Sequence, residues 1–412
     1  MEENSSKKYY KNFFYFLFGQ EFSLLGSSIV YFVISWWIAD NPIYLSLSSV
    51  LYIVPQIFIA PIAGVLVDRL NRKYIIISID AIQACVTFGL SLLFFFGLTN
   101  VWLVLSVNTI RSILQAFHLP AFNAIIPSMV PKDRLNRVNA INNVFNSFIF
   151  IIGPILGGIL LLILPIELIF MIDIITFIIA LIPLLFITIP SVSQVTKEEG
   201  KTSFFHEFKL GLKTVKAVPG LLSLIFFAMV INFLWRPFSV LLPYFIKEIH
   251  NGNPINLAFV SMFMSVANIT GGIINSFKKE YWHKTFIMMF GTLMIFLGYS
   301  FLIIAPIGHF IVMGIGLFIQ GMSFNFIIVN YATLLQSSVP SDKVGRIVSL
   351  DHSLTFAIMP IGSFLSGPLA VLLGIKNLYL FSIIIGIAVT ILIWIFTDIH
   401  KLDHIGKAEH QI

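Results

Sequence analysis

Apolar runs long enough to cross a bilayer, about 20 residues each, recur along the whole chain and constrain it more than any other feature. They fall at 14–38, 44–67, 74–96, 101–120, 138–164 and 168–189, then at 221–246, 257–277, 286–304, 310–335, 348–373 and 378–396. In lipid only helices and closed barrels satisfy their own backbone polar groups. Runs of this length that are apolar all round, rich in Ile and Phe, predict helices. The expected fold is therefore an all-α membrane protein with twelve transmembrane helices. Composition agrees: 58% of the 412 residues are hydrophobic and 11% charged, against about a quarter charged in soluble domains. A water-soluble hydrolase or dehydrogenase could not cover its surface with so few charges.

The charges are placed as the positive-inside rule requires. Lys7, Lys8 and Lys11, Arg69, Arg72 and Lys73, and Lys132, Arg134 and Arg137 all fall on one side. So do Lys197 to Lys216, Lys278 to Lys284, Lys343 with Arg346, and Lys401 with Lys407; Lys247 and Lys376 face the other. Both termini are thus expected in the cytoplasm, in a multi-pass protein of a bacterial plasma membrane. The net charge of +6 is topogenic on this reading and indicates no nucleic-acid partner. The first run is longer than a signal-peptide core and is read as an uncleaved span. The single cysteine, Cys85, excludes an internal disulfide and any Cys-based metal centre; it is read as a small buried residue.

The chain also repeats itself. Ser128-Met-Val-Pro131-Lys-Asp133-Arg-Leu-Asn-Arg137 returns as Ser337-Ser-Val-Pro340-Ser-Asp342-Lys-Val-Gly-Arg346, 209 residues on, and the same offset maps Gly153 onto Gly362 and Gly158 onto Gly367. Two halves of six spans follow, 1–189 and 221–412 with its short tail, related by an axis along the membrane normal. A substrate site near the midplane is expected between them. The linker 190–220 places Phe204, Phe205, Phe208, Leu212 and Val215 on one helical face and Lys209, Lys213 and Lys216 on the other, as an interfacial helix on the inner leaflet would.

In the loop between the second and third spans the chain reads Gly64-Val-Leu-Val-Asp68-Arg69-Leu-Asn-Arg72-Lys73. This resembles the G-x-x-x-D-R-x-x-R-[RK] signature of the major facilitator superfamily, in the loop where that family carries it. Gly19-Gln20 with Ser23 and Gly26, the fourth-span run Arg111 to Ala121 that includes His118, and Gly153-Pro154-Ile-Leu-Gly157-Gly158 are similar to the branch holding macrolide efflux proteins and the enterobactin exporter. The resemblance implies a proton-coupled exporter working by alternating access. It also implies that the first, fourth, seventh and tenth spans line the cavity. The second copy of the loop motif has decayed to Phe277-Lys278-Lys279-Glu280, and Ile149 stands where drug/proton antiporters usually have a further glycine.

No G-x-x-x-x-G-K-[ST] phosphate loop occurs, so a gradient must supply the energy, with no cofactor. Nor do the paired groups of an intramembrane enzyme stand out. Ionisable residues inside spans are functional suspects by default. Glu21 is expected to bind the transported proton, with Arg111 tuning it; Asp80 is the other carboxylate that could take Arg111. Asp173 is placed near the outer end of the sixth span, within reach of water. Arg236, beside Pro237 and with no obvious acid next to it, needs either a partner elsewhere in the fold or an anionic group of the substrate. Gln20, Asn108, Gln115, Asn232, Trp235, Gln320, Asn325, Asn330 and Tyr331 suit a large amphipathic ligand on the cavity helices.

Gly64 is expected to let helix backbones approach. Asp68 is expected to close the cytoplasmic side against the eleventh-span N-terminus near Gly345 and Arg346, and Arg69 and Arg72 to bind lipid phosphate or Asp133. Gly153, Gly157 and Gly158, with Pro154, read as a close-packing surface. His400, His404 and His410 read as a solvated tail rather than a metal site. The partners expected are a small-molecule substrate, protons and lipids, with the monomer as the working unit; a siderophore or metallophore is the alternative cargo.

Overall fold

The computed structural model describes residues 2–189, 204–278, 281 and 283–403. The linker segment 190–203, Lys279 and Glu280 of the decayed motif, and His404 and His410 lie outside them. In chain order the long helices are α1 (Glu2–Trp37), α2 (Pro42–Arg69), α3 (Arg72–Phe95), α4 (Val101–Met129), α5 (Leu135–Ile163) and α6 (Ile166–Phe186). There follow α7 (Phe204–Ala217), α8 (Leu221–Tyr244), α9 (Pro254–Phe277), α10 (Lys284–Ile304), α11 (Phe310–Ser337), α12 (Ser341–Leu373) and α13 (Ile375–Phe396). Among the described residues eleven of these are long and apolar enough to cross a membrane. Helix α4 is as long, 29 residues, but Asn108, Arg111, Gln115 and His118 dilute its apolar character.

Local sequence starts the helices. Asn41, Asn71 and Asn100 accept hydrogen bonds from the backbone N–H two residues on, at 2.8, 3.0 and 2.8 Å, and Pro42 opens α2 where its missing N–H costs nothing. Asn253, just before α9, and Asn256, in its first turn, cap each other reciprocally. Several helices outrun the apolar segments. Helix α4 continues through Pro120 and Pro127 to Met129, and α12 begins at Ser341. Hydropathy marks the thickness of the lipid, whereas the helix continues as long as its backbone hydrogen bonds do.

The chain divides into two compact units, one holding α1 to α6 together with Asn253–Ala258, the other α7, α8 and the chain from Phe259. In the first, α1 packs on α5 and α6, α2 on α4, and α3 on α4 and α6. Phe13, Phe16, Leu17, Val67, Ile76 and Phe122 form part of its core. In the second, α8 packs on α12 and α13, and α10 on α11 and α13, around Leu224, Phe227, Met288, Leu334, Ile347 and Leu350. The repeat is visible in single contacts: a Cβ on Gly153 would strike Ser28, and one on Gly362 would press on Arg236.

Helix α7, the amphipathic helix expected in the linker, docks on α12 within the second unit, where a Cβ at Gly211 would meet Leu350 and Arg346. Val215 is buried there while Lys209, Lys213 and Lys216 stay exposed. Cys85 is exposed rather than buried, because α3 turns that face away from its neighbours. Gly220, at φ +84°, caps the start of α8 where a Cβ would strike the carbonyl of Asp398, a backbone setting that favours glycine.

Candidate functional site

Seven-residue spacing, two turns of helix, organises the polar interior of the first unit. At one level Arg111 of α4 meets Asp173 of α6, Nη1 to Oδ2 2.7 Å. The same guanidinium donates to Thr87 of α3. Thr87 Oγ1 also lies 3.2 Å from Asp173 Oδ2, and Ser27 of α1 donates to Asp173 Oδ1 at 3.4 Å. Asp173 is fully buried and Arg111 9% exposed. This changes two expectations: among the described residues Asp173, not Glu21 or Asp80, holds Arg111, and Asp173 is buried inside the unit rather than at an open outer end. Folding of α6 against α1 and α3 brings the sixth-span acid inward, a register that hydropathy does not report.

Seven residues earlier on α1 and α3, and seven later on α4, lies a second level. His118 Nε2 is 2.8 Å from Gln20 Oε1 and 3.4 Å from Asp80 Oδ1, and Gln20 Nε2 donates to Asp80 Oδ2 at 3.0 Å. Gln20, read as a ligand contact, thus spends its amide on protein partners. Asn108 does likewise, donating to Ser48 Oγ at 3.1 Å and to its carbonyl at 3.2 Å, which ties α4 to α2. Gln115 is half-buried on α4.

Glu21 stands apart from both levels. It is 6% exposed, makes no ion pair among the described residues, and its Oε2 has no hydrogen-bond partner there. A buried carboxyl without a counter-charge is costly.

Helix ends are tied by the loop-motif cations. Arg72 Nη1 donates to the carbonyl of Ala124 at 2.8 Å, and Lys73 Nζ to those of Ile187 at 2.7 Å and Leu185 at 3.3 Å. Cations are favoured at such C-terminal carbonyls. Arg72 Nη2 also lies 3.9 Å from exposed Asp68. Asp133 lies 3.8 Å from Arg134, not against Arg69 or Arg72 as expected. Nor does Gly64 mediate a close approach: a Cβ there would stand in open space. Gly157, in contrast, faces the ring of Phe32, and Gly158 faces Pro254 and Ala258 of the stretch that clusters with this unit. Pro154 sits between these packing positions, inside α5.

In the second unit Trp235 stacks on Phe324, ring centroids 6.3 Å apart, and Arg236 lies against Gly362. Asn232 donates back to the carbonyl of Ala228 at 2.8 Å. Asn325 ties α11 to α9 through Asn268, Nδ2 to the carbonyl oxygen 2.8 Å. Asn330 donates to the carbonyl of Phe326 at 2.7 Å. Gln320 is buried with neither amide atom hydrogen-bonded among the described residues. Tyr331 donates to Asp351, which also accepts from Thr355 Oγ1 at 3.1 Å. Sequence reasoning missed His118, Thr87 and Asp351 as site residues. The spacings Gln20 to Ser27, Asp80 to Thr87 and Arg111 to His118 were the available signal.

The Major Facilitator Superfamily profile matches residues 16–358. The chain belongs to that superfamily. Major facilitators are secondary transporters, not enzymes, and carry solutes across a membrane by alternating access. Among curated relatives, Macrolide efflux protein A of Streptococcus pyogenes is 27% identical over 93% of this chain and 96% of its own. Multidrug efflux pump Tap of Mycolicibacterium fortuitum is 24% identical over 79% and 80%. Among solved structures, a bacterial homologue of the iron transporter ferroportin superposes with a TM-score of 0.68 at 14% identity, covering 93% of this chain and 98% of that one. The nucleoside transporter NupG gives 0.67 at 13%, covering 91% and 98%. At these identities the structures establish the shared fold, and the eleven apolar helices make this a multi-pass membrane protein.

Proposed function

We propose that this major facilitator is a proton-driven exporter of amphipathic small molecules, with twelve spans in two six-helix halves and both termini in the cytoplasm. The observation that carries the reading is Glu21: a buried carboxyl with no ion pair among the described residues, on a helix that lines the cavity in this family. Such a group can hold a proton in one state of the cycle and release it in another. Because Arg111 is committed to Asp173, changing water access to Glu21, rather than an approaching arginine, exchanges the proton. The efflux relatives support outward movement of a drug-like cargo. Gln115, Asn232, Trp235, Arg236 and Gln320 are the contacts proposed for it. Gln20, Asn108, Asn325 and Tyr331 instead hold the lining in place. Asp68, exposed beside Arg72, is proposed as the acid of the cytoplasmic gate.

The test is growth of an efflux-deficient bacterium carrying the wild type or Glu21→Gln, across antibiotics and dyes, with and without metal starvation. Protection against one chemical class, lost in the variant, is expected. Altered growth under metal starvation alone would replace the cargo by a metallophore. Uphill transport by Glu21→Gln with unchanged pH dependence would remove Glu21 from coupling.

A further inference from the structure

The two polar levels of the first unit are built alike but differ in one chemical respect. At the first, a buried aspartate, Asp173, is neutralised by the guanidinium of Arg111, 2.7 Å away, which stays charged at any working pH. At the second, two turns or about 10 Å further along α4, fully buried Asp80 faces His118 instead, at 3.4 Å. Helices α3 and α4 run antiparallel, so the Thr87–Arg111 and Asp80–His118 contacts are successive rungs of one ladder. The base is fixed on one rung and titratable on the other.

Hydrogen bonding defines where a proton would enter. His118 Nε2 is hydrogen-bonded to Gln20 Oε1 at 2.8 Å, an acceptor, so this nitrogen carries the hydrogen, while Asp80 Oδ1, 3.4 Å away, accepts no hydrogen bond among the described residues. Gln20 turns its Nε2 to Asp80 Oδ2. With the imidazole neutral, the Asp80 carboxyl has one hydrogen bond, from the Gln20 amide to Oδ2, and an Oδ1 that accepts none among the described residues. A proton arriving at Nδ1 converts the ring to imidazolium and gives Asp80 the counter-charge that Asp173 has permanently. Among the described residues no other cation is paired with Asp80. Helix α3 faces the ring with Asp80, and its Arg72 and Lys73 are engaged at its far end. Helix α1 contributes Gln20, beside Glu21. Helix α2 has no charged residue before Asp68. Arg111 and Asp173 neutralise each other two turns away. His118 keeps 16% of its side chain exposed, and its ring stacks on Phe122.

We propose that His118 and Asp80, clamped by Gln20, form a second proton-binding site in the first unit, with His118 Nδ1 as the atom that takes the proton. Its use in coupling rests on the proton-driven reading above, whereas the existence of the site does not.

The test is nitrogen NMR of the full chain in lipid nanodiscs with 15N-labelled histidine rings, from pH 8.5 to 5. One ring signal, missing in His118→Gln, is expected to pass from the Nε2–H tautomer to the doubly protonated form. At the pH where half of the wild-type rings are charged, Asp80→Asn should leave about a tenth or fewer charged, the usual effect of removing an adjacent opposite charge. A ring that keeps one protonation state throughout, or the other tautomer, overturns the proposal, as does an unchanged titration in Asp80→Asn. If that variant does not accumulate, the wild-type titration and tautomer decide. The same titration in Glu21→Gln separates the two claims: His118 should still titrate there even if Glu21 proves irrelevant to transport.

Discussion

Arg111 of α4 and Asp173 of α6 form a buried ion pair, Nη1 to Oδ2 2.7 Å, with Thr87 and Ser27 completing the hydrogen bonds around the carboxylate. Removing one member strands a charge in a low-dielectric interior, a loss of about 3 to 5 kcal/mol for such pairs. Arg111→Ala and Asp173→Ala should each lower the thermal unfolding midpoint in detergent sharply. The double variant should lose less than the sum of the two, since no charge is then left unpaired. Additive losses would mean that the two residues act independently.

Glycine substitutions should divide by what a Cβ meets. On Gly26 it would collide with Thr176 and Asp173, on Gly157 with the Phe32 ring and on Gly386 with the Phe296 ring, whereas on Gly64 it meets nothing. Alanine at 26, 157 or 386 is expected to cut the yield of folded protein, through overpacking costs of about 1 to 3 kcal/mol. Alanine at 64 should leave it unchanged. Size-exclusion profiles of the four variants check this ordering.

Arg72 and Lys73 hold backbone carbonyls near the ends of α4 and α6, while Asp68 is exposed. Arg72→Ala and Lys73→Met should therefore each cost about 1.5 to 3 kcal/mol, the range for hydrogen bonds made by charged groups, in thermal unfolding. Asp68→Asn should leave unfolding untouched and abolish transport. Normal transport by that variant would end its proposed role in the gate.

His250, just beyond the π-helical turn that follows α8, is 1% exposed between Phe245 and Phe310. Burial, helped by the charge of Lys376, holds its imidazole below the ordinary value of 6.5; the Pro306 carbonyl nearby opposes them weakly. Below about pH 6.5 the unfolded chain therefore binds more protons at this residue than the folded one, and stability falls as pH drops. His250→Phe should show a smaller fall in unfolding temperature between pH 7.5 and 5.5 than the wild type.

Amino-acid order alone determined the solvent, the helical class and the 209-residue repeat, because about 20 apolar residues in lipid have one local way to satisfy their backbone. It also marked Glu21, Arg111, Asp80 and Asp173, since an ionisable group inside a span stands out against its neighbours. What it could not assign was their pairing. Arg111 had several acids within reach of its level, and only the rotation of α6 against α1 and α3 turned Asp173 toward it. Likewise the face of α3 that carries Asp80 turned inward while the one carrying Cys85 turned out. Register and rotation arise from close packing at glycines such as Gly19 and Gly26, which bring α1 against α6. Those contacts join residues more than a hundred positions apart, a distance over which periodicity within one helix carries no information.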